Sequence, residues 1–188
     1  NIDSVLNVDR TLWAFAVNQV IQNLDCYNTY YIHNYYLYQT KDGLFNMIPW
    51  DLSESFVGAI MGFSYFNPSS VYEYNPYFGE NSSDGRPLTE LLFSNSQYRK
   101  QYTAHMRTVI NESLDTADVR MKINNLQSLV SNAASTDVNK GFNMNDYYNN
   151  VESSIFTSCA DEKLKKSNDI NTYIKYFFIF KSINNLNI

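Results

Sequence analysis

The chain has 188 residues, 44% of them hydrophobic, enough for one domain with a real core. A net charge of -5 and no basic stripe argue against a nucleic-acid partner. No uninterrupted apolar run reaches bilayer-spanning length; the closest, Tyr173–Phe180, is short and broken by Lys175. The chain opens on Asn1 rather than Met, and no signal peptide precedes its first helix, so a fragment or a mature product is expected. Cys26 and Cys159 fit one disulfide or two free thiols equally well.

In chain order, the first predicted element is a helix. Trp13, Ala16, Val17, Val20, Ile21 and Leu24 recur at three- and four-residue steps and so share one face. Asn7 or Asp9 caps its start, and it ends near Leu24, because Asp25-Cys26-Tyr27-Asn28-Thr29 favours a loop. Two strands follow. Tyr35, Tyr36, Leu37 and Tyr38 are strand formers, and Leu44, Phe45, Met47 and Ile48 make a second run. The Asp42-Gly43 pair between them signals a tight turn, hence an antiparallel hairpin. Pro49 closes the second strand, since it has no N–H to donate, and Asp51 emerges just past the strand end.

Residues 57–86 read as a long irregular segment rich in Gly and Tyr, the composition of a functional loop or of a packed surface loop. Its Tyr65, Tyr72, Tyr74 and Tyr77 suit a recognition surface or a shield over a site. Helices fill the rest. One opens at Arg86-Pro87-Leu88 with Pro87 in its first position, and a longer one runs from about Gln97 to Leu114. The longer one carries Tyr98, Tyr102, His105, Met106, Val109 and Ile110 on one face. A third has Val119, Ile123, Leu126 and Val130, and a fourth Met144, Tyr148, Val151 and Ile155. His33 and His105 are too far apart for a metal pair and read as hydrogen-bonded structural residues, while Glu112 and Asp115 read as solvated. Two sequons, at Asn81 and Asn111, would matter only in a protein secreted from a eukaryote.

The order of elements carries the chemistry: helix, acidic loop, hairpin, acid at the strand end, long loop, helices. Phosphoryl transfer is mainly positioning and charge neutralisation, so it needs hard oxygen ligands on fixed supports. A hairpin between Asp25 and Asp51 folds those two acids back toward each other, with Asn34 beside them. Aspartates at loop starts also serve as caps and turn formers, and that reading stands beside the chemical one.

Three stretches sharpen the choice: Asn23-Leu24-Asp25-Cys26-Tyr27, His33-Asn34-Tyr35-Tyr36-Leu37-Tyr38 and Ile48-Pro49-Trp50-Asp51-Leu52. They resemble the signature of the CotH (spore coat protein H) kinase family. The resemblance covers about residues 5–115, extends more loosely over 116–156, and stops at Phe156. It implies an α+β fold: the mainly helical C-lobe of an atypical protein-kinase-like fold, over residues 1–156, with a β-hairpin carrying the metal-binding acid. Residues 157–188 would form a tail of uncertain structure.

By the same resemblance, Asp25 is the catalytic acid or base, Asp51 is a metal ligand, Asn34 supports the metal or the loop geometry, and Trp50 either lines the nucleotide pocket or is a core aromatic. The family's second acid after Trp-Asp-Leu is replaced by Ser53, with Glu54 beside it as a supporting acid; Val57 is an insertion before Gly58. The implied cofactors are ATP and Mg²⁺ (or Mn²⁺). The implied partner is a protein substrate such as a coat or surface protein, at an extracellular, cell-surface or spore-surface location. The alternative is a non-catalytic surface or spore-coat binding and adhesion module with a kinase-like fold, for which a host receptor is a candidate partner. A kinase also needs a small lobe with a phosphate-pairing Lys, which is expected upstream of Asn1, so that this chain alone is expected to be inactive.

Overall fold

A computed structural model describes residues 1–53, 55–57, 74–140 and 142–149. Two compact units divide the chain, Asn1–Asn111 and Glu112–Ile188. In the first unit the described elements are helix α1 (Val8–Val20), strands β1 (Tyr35–Gln39) and β2 (Phe45–Pro49), helix α2 (Pro87–Ser94) and helix α3 (Ser96–Ser113). In the second they are α4 (Thr116–Thr136) and α5 (Met144–Asn149). The architecture is mixed and mostly helical with one two-stranded antiparallel sheet, an α+β arrangement.

Helix α1 starts where Asn7 accepts from the Arg10 amide at 3.1 Å, satisfying one of the orphan donors of the first turn. The same residue ties the helix to the sheet. Its amide donates to the Phe45 carbonyl at 2.8 Å, and its Nδ2 donates to Asn46 Oδ1 at 3.0 Å. The helix ends at Val20, a turn earlier than Leu24, and Gln22 follows with a left-handed φ of 50°. Its buried stripe also differs from the expected one. Leu12, Phe15 and Ala16 are fully buried, whereas Trp13, Val17 and Val20 are only half-buried. Ala16 and Leu24 of the expected face are buried and Val20 packs against the core, but the buried stripe is rotated toward Leu12 and Phe15, because Phe15 joins the shared aromatic core while Trp13 stacks on His105 at 3.9 Å.

The hairpin pairs Tyr35 with Pro49, Tyr36 with Ile48 and Tyr38 with Asn46. Gly43, at φ 90°, supplies the left-handed step of the connection, whose ends close through Thr40 N to Leu44 O at 3.0 Å. Met47 turns into the core, which gathers Leu12, Phe15, Tyr27, Leu92, Phe93, Tyr102 and Met106. Tyr102 and Phe93 pack at 4.8 Å, and Phe15 stacks on Tyr27 at 5.7 Å, so aromatic area carries much of this unit's burial.

Helix α2 has Pro87 at its start, as its sequence requires, and α3 buries Tyr102, Met106, Val109 and Ile110 on the expected face. Tyr77, read as part of a recognition surface, a shield or a packed loop, is packed against the core and bonds Thr103 through its hydroxyl at 2.7 Å. The expectations for Tyr65 and Tyr72, for Val151 and Ile155, and for the tail lie outside the described residues. In the second unit Asp115 caps α4 by accepting from the amides of Ala117 and Asp118, a structural role that its reading as a solvated acid missed. Helix α4 leaves Ile123, Leu126 and Val130 exposed rather than buried. No described helix is long and apolar enough to cross a membrane.

Candidate active site

The loop after α1 is held by a buried polar network. Asn23, fully buried, donates through Nδ2 to Asn18 Oδ1 at 3.3 Å and accepts from the Asp25 amide through Oδ1 at 3.1 Å. Its carbonyl receives the Thr29 hydroxyl at 2.7 Å, and Asn28 reaches back to the Phe15 carbonyl at 3.2 Å. Tyr31 N closes the loop on Leu24 O at 3.0 Å. Such a network is costly if any member is unsatisfied, and its closure fixes one backbone path. Cys26 sits inside it as a free, buried thiol whose pKa is pushed up to about 12 by burial.

That fixed path presents Asp25, whose side chain is only 14% exposed. Its Oδ2 accepts from Asn34 Nδ2 at 2.6 Å and lies 3.3 Å from His33 Nδ1. A carboxylate can only accept, so the Asn34 amide must point its NH₂ at Asp25 and turn its Oδ1 away. Asn34 takes a left-handed φ of 49°, a conformation that Asn tolerates better than most residues. Its carbonyl then receives the Trp50 amide at 2.9 Å, which extends the hairpin pairing by one bond.

Asp51 is therefore one residue from a backbone bonded directly to Asn34. It too is left-handed, at φ 42°, and exposed. Hydrogen bonds from the Ser53 hydroxyl, then from its amide (3.1 Å to Oδ1), hold the Asp51 carboxyl below the usual carboxylate range; nearby His33 acts in the same direction. The next turn docks back on the start of the loop, since Phe56, at φ 59°, donates its amide to Ile21 O at 2.6 Å. Trp50 is not a core residue: it is 58% exposed and meets the Tyr36 ring edge-on at 5.3 Å.

The hairpin thus joins Asp25 to Asn34 by a side-chain bond, and Asn34 to the Trp50-Asp51 turn by a backbone bond. Glu54 lies outside the described residues. His33, read as structural, was not among the expected site residues, although it stands next to Asn34 and is 68% exposed beside Asp25. Its position one residue before the flagged Asn34 was the available signal.

A divalent metal of the hard class asks for oxygen donors, typically one or two carboxylates completed by phosphate and water. The Asp51 carboxylate and the Asn34 amide oxygen, which is not used in the bond to Asp25, are hard oxygen donors of the kind that Mg²⁺ or Mn²⁺ takes. Among the described residues no group of three His, Cys, Asp or Glu side chains converges as a protein-only metal cage would.

A sequence model of the family described as CotH kinase protein matches residues 1–160. No match was found among curated proteins or among solved structures.

Proposed function

The chain belongs to the CotH kinase protein family, and from that premise we propose that it forms the catalytic, metal-binding C-lobe portion of an atypical protein kinase. The reaction would be metal-dependent transfer of a nucleotide γ-phosphate, from ATP, to a Ser or Thr hydroxyl of a protein. The acceptor class is a coat or surface protein, at an extracellular, cell-surface or spore-surface location. The observation that carries the reading is the 2.6 Å bond from Asn34 to Asp25, made by a residue whose main chain is tied to the Asp51 turn.

Asp25 orients the acceptor hydroxyl and takes its proton. Oδ2 is pinned by Asn34, which fixes the carboxylate plane and leaves Oδ1 to face the acceptor. Asp51 and the Asn34 Oδ1 would hold Mg²⁺ or Mn²⁺, which when bound neutralises charge on the nucleotide phosphates. Because its carboxyl is held below the usual range, Asp51 is ionised at neutral pH without any partner cation. The exposed indole of Trp50 offers a flat apolar face to the nucleotide. Glu54 is a further acid in sequence reach of Asp51.

The test is incorporation of labelled phosphate from γ-labelled ATP with Mg²⁺ or Mn²⁺ by the full-length protein, comparing the wild type with Asp25→Asn and Asp51→Asn. Both substitutions are expected to lower turnover by at least a hundredfold; unchanged incorporation in both refutes the assignment.

A second reading draws on the hairpin face where Tyr36, Tyr38 and Trp50 stand exposed. Exposed aromatics of this kind suit a binding or adhesion module, with a host receptor among its partners. It predicts partner binding that both Asp→Asn variants retain.

A further inference from the structure

Arg86 stands out as a cation buried without an ion pair among the described residues: it is 5% exposed, and no described carboxylate lies within ion-pair distance of it. Its guanidinium instead spans three main-chain carbonyls. Nε donates to Tyr27 O at 3.1 Å, one terminal nitrogen to Tyr30 O at 2.5 Å, and the other to Asp84 O at 2.5 Å. Two of the three acceptors belong to the loop that presents Asp25.

The loop answers the contact. The Tyr27 hydroxyl accepts the Leu88 amide at 3.1 Å, one of the orphan donors at the start of α2, which has no side-chain cap of its own. Phe78 covers the guanidinium at 4.6 Å. Gly79, at φ 85°, lets the chain pass so close that a Cβ there would lie 3.0 Å from Arg86 Cδ. Burying a charge is expensive, and carbonyl dipoles repay it only when the fork meets all of them at once. A planar guanidinium can do this; an ammonium on a flexible stem cannot.

We infer that Arg86 is a positioning residue for Asp25: it clamps the Tyr27–Tyr30 backbone to the start of α2 and thereby sets the direction of the carboxylate two positions before the first anchor and five before the second. The catalytic half of this inference rests on the kinase reading above; the structural half does not.

The experiment compares the wild type with Arg86→Lys and Tyr27→Phe, by amide hydrogen exchange and by phosphate incorporation from γ-labelled ATP in the full-length protein carrying each change. Arg86→Lys keeps the charge but loses the fork. It is expected to raise exchange at Thr29 and Tyr31 at least tenfold while the amides of α3 keep their protection, and to lower kcat at least tenfold with KM for ATP within twofold. Tyr27→Phe is expected to raise exchange at Leu88 specifically, and serves as the readout should Arg86→Lys fail to fold. Loop protection and kcat both unchanged in Arg86→Lys overturn the inference, as does a KM change without a kcat change. If the full-length wild type transfers no phosphate at all, the kinase reading falls while the exchange data still decide whether the clamp exists.

Discussion

Replacing Asn34 probes the bond on which the candidate site turns. Asn34→Gly keeps the left-handed backbone at φ 49° comfortable and removes only the side-chain amide, so its effect reports the contact to Asp25. A hydrogen bond to a charged, largely buried acceptor is worth about 1.5–3 kcal/mol net. Asn34→Gly should therefore lower unfolding stability by about 2 kcal/mol, with the added backbone freedom of Gly contributing up to about 1 more. Asn34→Ala loses the same bond and adds the steric cost of a left-handed β-carbon, about 1–2 kcal/mol. Asn34→Asp sets a second carboxylate against Asp25 at near-contact distance, which costs about 1.4 kcal/mol even with water-like screening. Urea unfolding at pH 7 should thus rank wild type above Gly, and Gly above both Ala and Asp. If Asn34→Gly is as stable as wild type, or Asn34→Asp as stable as Asn34→Gly, the Asn34–Asp25 bond does not hold the site together.

Further expectations follow from the same geometry. Gly79→Ala should cost about 1–3 kcal/mol in urea unfolding, because φ 85° is unfavourable for Ala and its Cβ would lie 2.9 Å from Thr89 Oγ1. The folded Cys26 thiol keeps its proton to about 12, whereas an unfolded thiol loses it near 9, so the unfolded chain binds fewer protons above pH 9 and stability is lost as pH rises. Relative to Cys26→Ser, the wild type should lose about 1.4 kcal/mol per pH unit once the unfolded thiol is fully ionised, measured by urea unfolding between pH 9.5 and 10.5. Ser53→Ala removes the first cause of the low Asp51 pKa, so the Asp51 carboxyl titration followed by carbon-detected NMR should move up toward the ordinary Asp range.

Much of this was legible in the sequence, for reasons that differ by element. The hairpin announced itself through strand formers, the Asp42-Gly43 turn and the missing donor of Pro49, and the observed register follows them closely. Pro87 fixed the start of α2 in the same way. The phase of α1 was harder to read, because Trp13 and Phe15 both look like core residues and only the tertiary partners decide between them. At the candidate site, Asp25, Asn34 and Asp51 were legible from motif and order, but their connection through Asn34 was not: it depends on an amide orientation and a left-handed backbone that no residue pattern announces. His33 does make the hydrogen bond expected of it, to Asp25 eight residues away, whereas the role of Arg86 was not legible because its partner Tyr27 lies 59 residues away in sequence.

Paramagnetic Mn²⁺ reports whether the loop of Asp25 and the turn of Asp51 converge on one divalent ion. Substoichiometric Mn²⁺ with a nucleotide should broaden the NMR signals of the Asn34 side-chain amide, Asp51 and Ser53 first, and Asp51→Asn should abolish that selectivity. Broadening spread evenly over surface acids such as Asp9, Glu112 and Asp118, with Asn34 untouched, would contradict it.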